Sequence, residues 1–333
     1  MNGRLFSPDR RRFLTLGAAM GMALACPAIV RAHDPVSRID GAAFGTGWQV
    51  TLPAGTAAPG LRARLETLLQ DLDAAFSPWR ADSVIARFNA GKAREMAVAD
   101  DVARVVAAAC AIAGASGGCF DPTVGPLVAR WGFGPIRDGG VVPDGWRHIA
   151  AGTGQIARAD AGQPLDLCGI AKGQALDSMT AMLLAEGHDD FLVDLGGELA
   201  ARGRHPAGHV WRVGVEDPRS GAPGLAAVLH LDGLAVATSG DRTNGYDIGS
   251  RRYSHIIDPA TREPAESGLA SVSVVMPDGR DADGWATALM AAGETGPELA
   301  RGHAIAALFL FRDGAGLRRV ATGSMVTYLA GGA

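Results

Sequence analysis

The chain has 333 residues, a formal net charge of −4, 47% hydrophobic residues and 20% charged residues. This is an ordinary globular composition, long enough for one large domain or two intertwined lobes. The chain is weakly acidic and has no basic stripe that would neutralise phosphates, so the sequence excludes a general nucleic-acid binder.

The first residues have the pattern of an export signal. Three consecutive arginines begin at Arg10, an apolar stretch rich in alanine and glycine follows to Val30, and Ala32 ends a small-residue cleavage pattern. An uncleaved membrane anchor is the alternative, although the glycines make that stretch a weak spanning helix. We therefore expect a twin-arginine signal peptide over residues 1–32, export by the Tat translocase and a periplasmic mature protein.

Removing this segment leaves three of the four cysteines, namely Cys110, Cys119 and Cys168. They form no CxxC pair, and their number is odd in an oxidising compartment, which argues against a zinc or redox site. We expect all three to be small buried hydrophobic residues. A disulfide between Cys110 and Cys119 remains open from sequence alone.

The mature chain predicts helices early and short strands late. Helices are predicted over 60–76, from an N-cap at Asp82 through Phe88, over 100–113, from Gly169 to Gly187, and from about Ala282. Strands are predicted over 45–52, at 165–167 as a strand end, and over 191–195, 210–215, 226–231, 234–237, 253–257, 271–276 and 304–311. This order favours an α+β fold with an antiparallel-sheet core and flanking helices over a doubly wound parallel sheet.

The segment from Asp166 to Asp177 places a Gly-rich turn before a helix. Gly169 lets backbone approach a ligand closely, and the free N–H groups at a helix start favour an anion. Lys172 lies in the first helical turn and could reach a phosphate as a point charge. The alternative is a tight turn with a solvated lysine, since short glycine patterns are common.

Asp283 and Thr287 are four residues apart on a predicted helix. They share a face, so their oxygens can meet one cation, and these oxygens suit Mg²⁺. In the alternative interpretation Asp281 or Asp283 is an N-cap and Thr287 packs the helix.

Three further residues are candidates on weaker grounds. His255 lies where an apolar strand leaves for a turn, which suits a general base, although a histidine on a strand is usually structural. Trp79 and Phe120 could each supply a stacking face for a ring system, or could be core residues.

Taken together, these segments resemble the ApbE family of flavin transferases, which move FMN from FAD onto a protein threonine. The matching blocks follow the family's order and span nearly the whole mature chain. They are 44–46, 79–89, 120–134, 166–177, 193–197, 238–240, 254–264 and 282–290.

The resemblance implies an ApbE-like, T-fold-like flavin transferase domain of two intertwined lobes over residues 33–333. It implies that Mg²⁺ is held by Asp283, Thr287 and the backbone carbonyl of Gly169. It further implies that His255 is catalytic and that Lys172 helps to fix the phosphates. The FAD contacts that it implies are Phe44, Trp79, Cys119, Phe120, Asp121, Asp166, Lys172 and Ile257.

The activity that the resemblance implies is Mg²⁺-dependent transfer of FMN from FAD to a threonine hydroxyl of a membrane or periplasmic flavoprotein, with release of AMP. An FAD pyrophosphatase that gives FMN and AMP, and a non-catalytic periplasmic flavin-binding or assembly protein, are the alternatives. The export signal is similar to that of the subgroup that serves nitrous-oxide respiration.

The chain departs from the family pattern at three places, all of which bear on the acceptor-side cleft. Tyr246 follows an insertion after Gly240, Arg262 stands where glycine is usual, and Trp79 stands where tyrosine is common.

Overall fold

An eight-stranded sheet lies at the centre of the protein, and every neighbouring pair of its strands is antiparallel. The structure is a computed structural model that describes residues 36–140, 142–219, 224–242, 244–248 and 251–331. The described residues belong to one compact unit. The predicted signal over residues 1–32 lies outside them.

The strands in the described residues are two to eight residues long. They are β1 (Val36–Ala43), β2 (Thr46–Pro53), β3 (Glu95–Ala97), β4 (Ile149–Gly152), β5 (Gln155–Arg158), β6 (Phe191–Leu195), β7 (Glu198–Arg202), β8 (Trp211–Glu216), β9 (Leu225–Leu231), β10 (Leu234–Gly240), β11 (Gly245–Ile248), β12 (Arg251–Ser254), β13 (Ile257–Asp258), β14 (Glu263–Pro264), β15 (Leu269–Met276), β16 (Ala306–Asp313) and β17 (Gly316–Thr322). The large sheet has the order β1-β2-β6-β7-β10-β15-β16-β17, while β11–β12 and β8–β9 form separate two-stranded sheets.

The described residues contain eight α-helices. They are α1 (Leu61–Phe76), α2 (Val84–Ala90), α3 (Asp100–Ala115), α4 (Gly125–Arg130), α5 (Ala171–Ala185), α6 (Gly279–Ala292), α7 (Gly296–Gly302) and α8 (Met325–Tyr328). In α1 the buried residues Leu61, Leu65, Leu69, Leu72 and Phe76 recur at three- and four-residue spacing. Among the helices of the described residues, none is long and apolar enough to cross a membrane.

The sheet is covered on both faces, which divides the core in two. Helices α1, α2, α3, α5 and α6 pack on one face around sheet residues such as Val193 and Val274. The other face, which includes Val275, packs against Trp211 of β8 and Leu229 of β9. Successive strand residues point to opposite faces, so β15 is buried on both sides. The predicted α+β fold with an antiparallel core and flanking helices is confirmed.

Several local predictions were wrong, each for a physical reason. Residues 165–167 form no strand; Leu165 is held instead by the side chain of Asn89, which bonds both its N–H and its C=O at 2.8 Å. Helix α2 is capped by Ser83, whose hydroxyl accepts from Ala86 N at 3.0 Å. Asp82, the predicted cap, pairs with Arg80.

The cysteine prediction holds only in part. Cys110, Cys119 and Cys168 are all unpaired, so the disulfide left open from the sequence is not formed. Cys110 and Cys119 are half-buried, but Cys168 is exposed and does not serve as a core residue.

Candidate active site

Helices α5 and α6 begin side by side, with their backbones in contact. A Cβ added at Gly173 of α5 would come within 2.2 Å of the carbonyl oxygen of Gly279, and within 2.7 Å of Asp283 Cβ. Only glycine permits so close an approach of two backbones. The two glycines therefore bring the start of α5 against the face of α6 that carries Asp283.

Asp177 fixes the start of α6 from the neighbouring helix. Its carboxylate accepts from Gly279 N at 2.6 Å and from Arg280 N at 2.9 Å. These are unpaired N–H groups of the first helical turn, where a carboxylate is favoured. Asp177 belongs to the Gly-rich motif of the sequence, and its role is to cap α6 and so to position Asp283.

The residues predicted to bind a metal lie where α5 and α6 pack together. Asp283 Oδ2 accepts from Gly173 N at 3.0 Å, and Thr287 Oγ1 lies 3.3 Å from the carbonyl oxygen of Gly169. A Cβ at Gly169 would lie 3.0 Å from the Thr287 side chain, a tight contact that glycine avoids. Asp283 and Thr287 both lie on α6, four residues apart, and both contact the start of α5, where the backbone carbonyl of Gly169 lies beside Thr287.

Two buried acids share a single lysine at this point. Lys172 Nζ donates to Glu198 Oε1 of β7 at 2.5 Å, and Glu198 and Asp283 are 2% and 4% exposed. Burial raises the pKa of Glu198 to about 7 and also raises the pKa of Asp283, although the charge of Lys172 opposes both shifts. For Lys172 itself burial lowers the pKa, but the negative charges of Glu198 and Asp283 outweigh it, so the pKa is raised.

This charge balance fits a bound cation. Two carboxylates and one ammonium leave a net negative charge, and Glu198 Oε2 is buried without a hydrogen-bond partner. The oxygen atoms available as metal ligands belong to a carboxylate, a hydroxyl and a backbone carbonyl. These are hard oxygen ligands of the kind that Mg²⁺ takes. The residues present therefore suit the predicted metal.

His255 is held in one orientation by the backbone of Asn244. The carbonyl oxygen of Asn244 lies 3.0 Å from His255 Nδ1 and also accepts from His255 N at 3.1 Å. With Nδ1–H donating to that carbonyl, Nε2 carries the lone pair of a base. Burial lowers the pKa of His255, and the positive charge of Lys172 lowers it further.

Asp166 and Cys168 form the turn that leads into α5. Asp166 Oδ1 accepts from Cys168 N at 3.0 Å, and Asp166 N donates to Pro122 O at 2.7 Å. Desolvation of the thiol, and then the negative charge of Asp166, raise the pKa of Cys168 well above its usual range. It is therefore a neutral thiol and a poor nucleophile.

The Cys119-Phe120-Asp121 segment lies against this turn. Phe120 is 3% exposed, and its ring would contact a Cβ at Gly169 at 3.1 Å. Asp121 uses Oδ1 to accept from Thr123 N and Thr123 Oγ1 at 2.9 and 2.6 Å, so this oxygen shapes the local turn. Burial, and then the negative charge of Asp258, raise the pKa of the Cys119 thiol.

The three remaining predicted residues lie at the edge of this arrangement. Phe44 stands at positive φ (51°) in the β1–β2 turn, and that turn touches Gly196, whose N donates to Gly47 O at 3.0 Å. Ile257 is buried where β13 pairs with β14. Trp79 is 64% exposed on the α1–α2 loop and makes no ring contact with the residues above. An exposed indole in a loop is consistent with a stacking face and not with core.

Sequence reasoning missed Glu198, Asn244 and Asn89. Glu198 follows the Gly196-Gly197 turn, and that position after two glycines was the available signal. Asn244 acts through its backbone carbonyl, which no residue pattern reveals. Asn89 is one residue before the end of α2 and is 76 positions from its partner Leu165, so only the fold brings them together.

Known proteins are similar to this chain in sequence and in fold. The ApbE family model matches residues 44–309. A protein of Klebsiella pneumoniae named FAD:protein FMN transferase is 32% identical over 96% of this chain and 97% of its own length. The Escherichia coli K12 protein of the same name is 31% identical over 86% of this chain and 87% of its own length.

Solved structures agree with these relatives. The apo form of the flavinyl transferase ApbE of Pseudomonas stutzeri superposes with a TM-score of 0.79 at 35% identity, covering 91% of this chain and all of that one. The flavin transferase ApbE of Vibrio cholerae gives the same TM-score at 30% identity, covering 89% of this chain and all of that one. The resemblance read from the sequence is therefore confirmed, and the chain belongs to the ApbE family.

Proposed function

We propose that this protein transfers FMN from FAD to a threonine hydroxyl of an acceptor flavoprotein and releases AMP, with Mg²⁺ as cofactor. The observation that carries the proposal is the packing of α5 against α6, in which Asp283 contacts Gly173 N, Thr287 contacts the Gly169 carbonyl, and the charge of Lys172 acts on Asp283. The name FAD:protein FMN transferase, borne by the relatives, supplies the reaction class.

Asp283, Thr287 and the carbonyl of Gly169 would hold the cation. When bound, Mg²⁺ would neutralise charge that develops on the diphosphate. Lys172 adds a fixed positive charge at the same place, and Glu198 holds its ammonium from β7. The exposed ring of Trp79 and the turn at Phe44 are available to the flavin side of FAD.

His255 acts as the general base in this proposal. The acceptor oxygen bonds to the FMN-side phosphorus, the bond from that phosphorus to the bridging oxygen breaks, and AMP leaves with that oxygen. The hydroxyl proton passes to His255 Nε2, since Nδ1 is engaged by Asn244. Removing such a base costs about 10²–10⁴-fold in rate.

The proposed periplasmic location rests on the sequence of the first residues, which lie outside the described part of the chain. Three arginines from Arg10 and the apolar stretch to Val30 support export through the Tat translocase. The acceptor would then be a periplasmic or membrane flavoprotein that exposes its threonine on the same side.

One assay tests the proposal against its alternatives. Mature protein, FAD, Mg²⁺ and candidate acceptor domains are incubated, and covalent flavin fluorescence is followed on a denaturing gel together with AMP. Fluorescent acceptor with equimolar AMP supports transfer. AMP and FMN formed without acceptor would show a pyrophosphatase, and retained FAD with no AMP would show a flavin-binding protein.

Two variants test the residue roles in that assay. His255→Ala should bind FAD but label acceptor about 10²–10⁴-fold more slowly. Because the pKa of His255 is lowered from 6.5, the wild-type rate should fall only below pH 6.5, where the imidazole becomes protonated. Asp283→Asn keeps the side-chain size and should abolish the response to added Mg²⁺. An unchanged metal response in this variant would reject Asp283 as a ligand.

A further inference from the structure

A small hairpin formed by β11 and β12 carries exposed apolar side chains next to His255. Tyr246 is 36% exposed and Ile248 is 63% exposed. Six large apolar side chains are exposed in the described part of the chain, and two of them lie on this one four-residue strand. Clustered apolar exposure marks interaction sites more often than single exposed residues do.

The base of the hairpin is held by a run of stacked rings. Tyr246 stacks on Tyr253 of the paired strand at 5.5 Å and on Phe133 at 5.2 Å, and Tyr253 stacks on Trp131 at 5.5 Å. Phe133 in turn meets the ring of His255 edge-on at 6.3 Å. This run of rings therefore leads from the candidate base outwards along the hairpin.

Ile248 extends this apolar surface beyond the rings. Side chains two positions apart on a strand point to the same face, so Ile248 lies on the face of Tyr246. We call Phe133, Tyr246 and Ile248 the apolar strip. It begins beside His255 and ends at a side chain that is mostly in solvent.

The hairpin also carries the residue that orients the base. Asn244 immediately precedes β11, and its carbonyl oxygen bonds both His255 Nδ1 and His255 N. In the part of the chain that is described, β11 and β12 pair only with each other, so their outer edges are available to another strand. A partner bound to this hairpin would therefore contact the element that orients His255 Nε2.

We propose that the apolar strip docks the chain segment that flanks the target hydroxyl of the acceptor flavoprotein. This inference rests on the proposed function, because the acceptor hydroxyl must come within hydrogen-bond reach of His255. An extended chain advances about 3.3 Å per residue, so residues two or three positions from that hydroxyl can reach Phe133, whose ring centroid is 6.3 Å from that of His255. An apolar side chain of the acceptor, one to three residues from its threonine, is the partner that this surface fits.

The experiment uses exposed positions, so that folding is preserved. Ile248→Asp places a charge on the strip, and Ile248→Thr removes apolar surface but keeps a β-branched residue. Leu184→Asp is the matched control, since Leu184 is 43% exposed at the far end of α5 from Lys172, about 18 Å along the helix. The probe is an acceptor domain that the wild-type protein labels, and the KM values for acceptor and for FAD are measured separately.

Ile248→Asp should raise the KM for acceptor at least about tenfold, which corresponds to about 1.4 kcal/mol, with a smaller rise for Ile248→Thr. The KM for FAD should stay within twofold, and Leu184→Asp should match the wild type in both values.

Equal acceptor KM values in all proteins would overturn the docking site. A parallel rise in the KM for FAD would also overturn it, because the strip would then belong to the FAD site. Gel filtration adds a further check: loss of a wild-type dimer in Ile248→Asp would identify the strip as a self-interface instead. If the wild-type protein labels no acceptor, it is the proposed function that fails, and the two failures are thus distinct.

Discussion

Replacing Glu198 with glutamine should make the metal-free protein more stable, and more so as the pH rises. Glu198 is 2% exposed, one of its carboxylate oxygens has no partner, and its single salt bridge is to Lys172. Glutamine has the same shape and can still accept from Lys172 Nζ. The substitution therefore removes a buried charge and almost nothing else, which isolates the cost of keeping that charge in the site.

The size and sign of the effect follow from the pKa of Glu198. Burial raises it from 4.5 in the unfolded chain to about 7 in the folded protein. Between these values the folded state holds a proton that the unfolded state has lost, so wild-type stability falls as the pH rises from 4.5 to 7. At about 1.4 kcal/mol per pH unit, the full difference is about 3 kcal/mol. Glu198→Gln lacks this loss, so it should match the wild type below pH 4.5 and exceed it above pH 7.

The assay is urea unfolding of both proteins, in chelator, from pH 4 to pH 8. Glu186→Gln is the control, because the hydrogen bond from Arg64 lowers the pKa of Glu186. That variant should instead be weaker than the wild type near pH 7 and match it in acid. A Glu198→Gln protein that is less stable than the wild type at pH 8 would refute the reasoning, since attraction to Lys172 would then outweigh burial. FMN transfer should nevertheless fall about 10–100-fold, because a neutral glutamine accepts from Lys172 but no longer supplies the negative charge that raises the pKa of that ammonium.

Substitutions at three further positions test capping, packing and backbone strain, each against a comparison variant and each by urea unfolding. Asp177→Ala should cost about 1–2 kcal/mol, because Gly279 N and Arg280 N lose their cap, and Asp177→Asn should lose less. Gly173→Ala should cost about 1–3 kcal/mol or more by forcing α5 away from α6, whereas Gly302→Ala, with open space around it in α7, should be neutral or stabilising by up to about 1 kcal/mol. Arg262 stands at φ 62°, so Arg262→Gly should be about 1 kcal/mol more stable than Arg262→Ala; equal values would show that this turn stores no strain.

The fold could be predicted where local pattern and burial agree. The leucines of α1 recur at helical spacing and are buried, and β6 alternates as its strand requires. The prediction failed where a distant side chain decides the local structure. Leu165 looked like the end of a strand because it is apolar and precedes a turn. Its backbone is bonded by Asn89 instead, and no local signal carries that information.

The candidate site divides in the same way. The i,i+4 spacing of Asp283 and Thr287 is a property of one helix and was therefore visible in the sequence. Their meeting with Gly169 needs the backbone contact of α5 with α6, which Gly173 and Gly279 permit. The family resemblance predicted that Gly169 joins Asp283 and Thr287. The spacing alone left open that Asp283 is an N-cap.

Glu198, which only the structure reveals as part of the candidate site, lowers the stability of the folded protein. A core usually excludes a carboxylate whose pKa has risen to about 7, since packing alone would favour an apolar residue there. Glu198 nevertheless lies buried beside a second raised carboxylate, Asp283, with Lys172 as the cation between them. A bound cation would stabilise the negative charge of Glu198 and of Asp283 at once, which gives a functional reason for two buried acids at this place. Added Mg²⁺ should then stabilise the wild type against urea and leave the stability of Asp283→Asn unchanged.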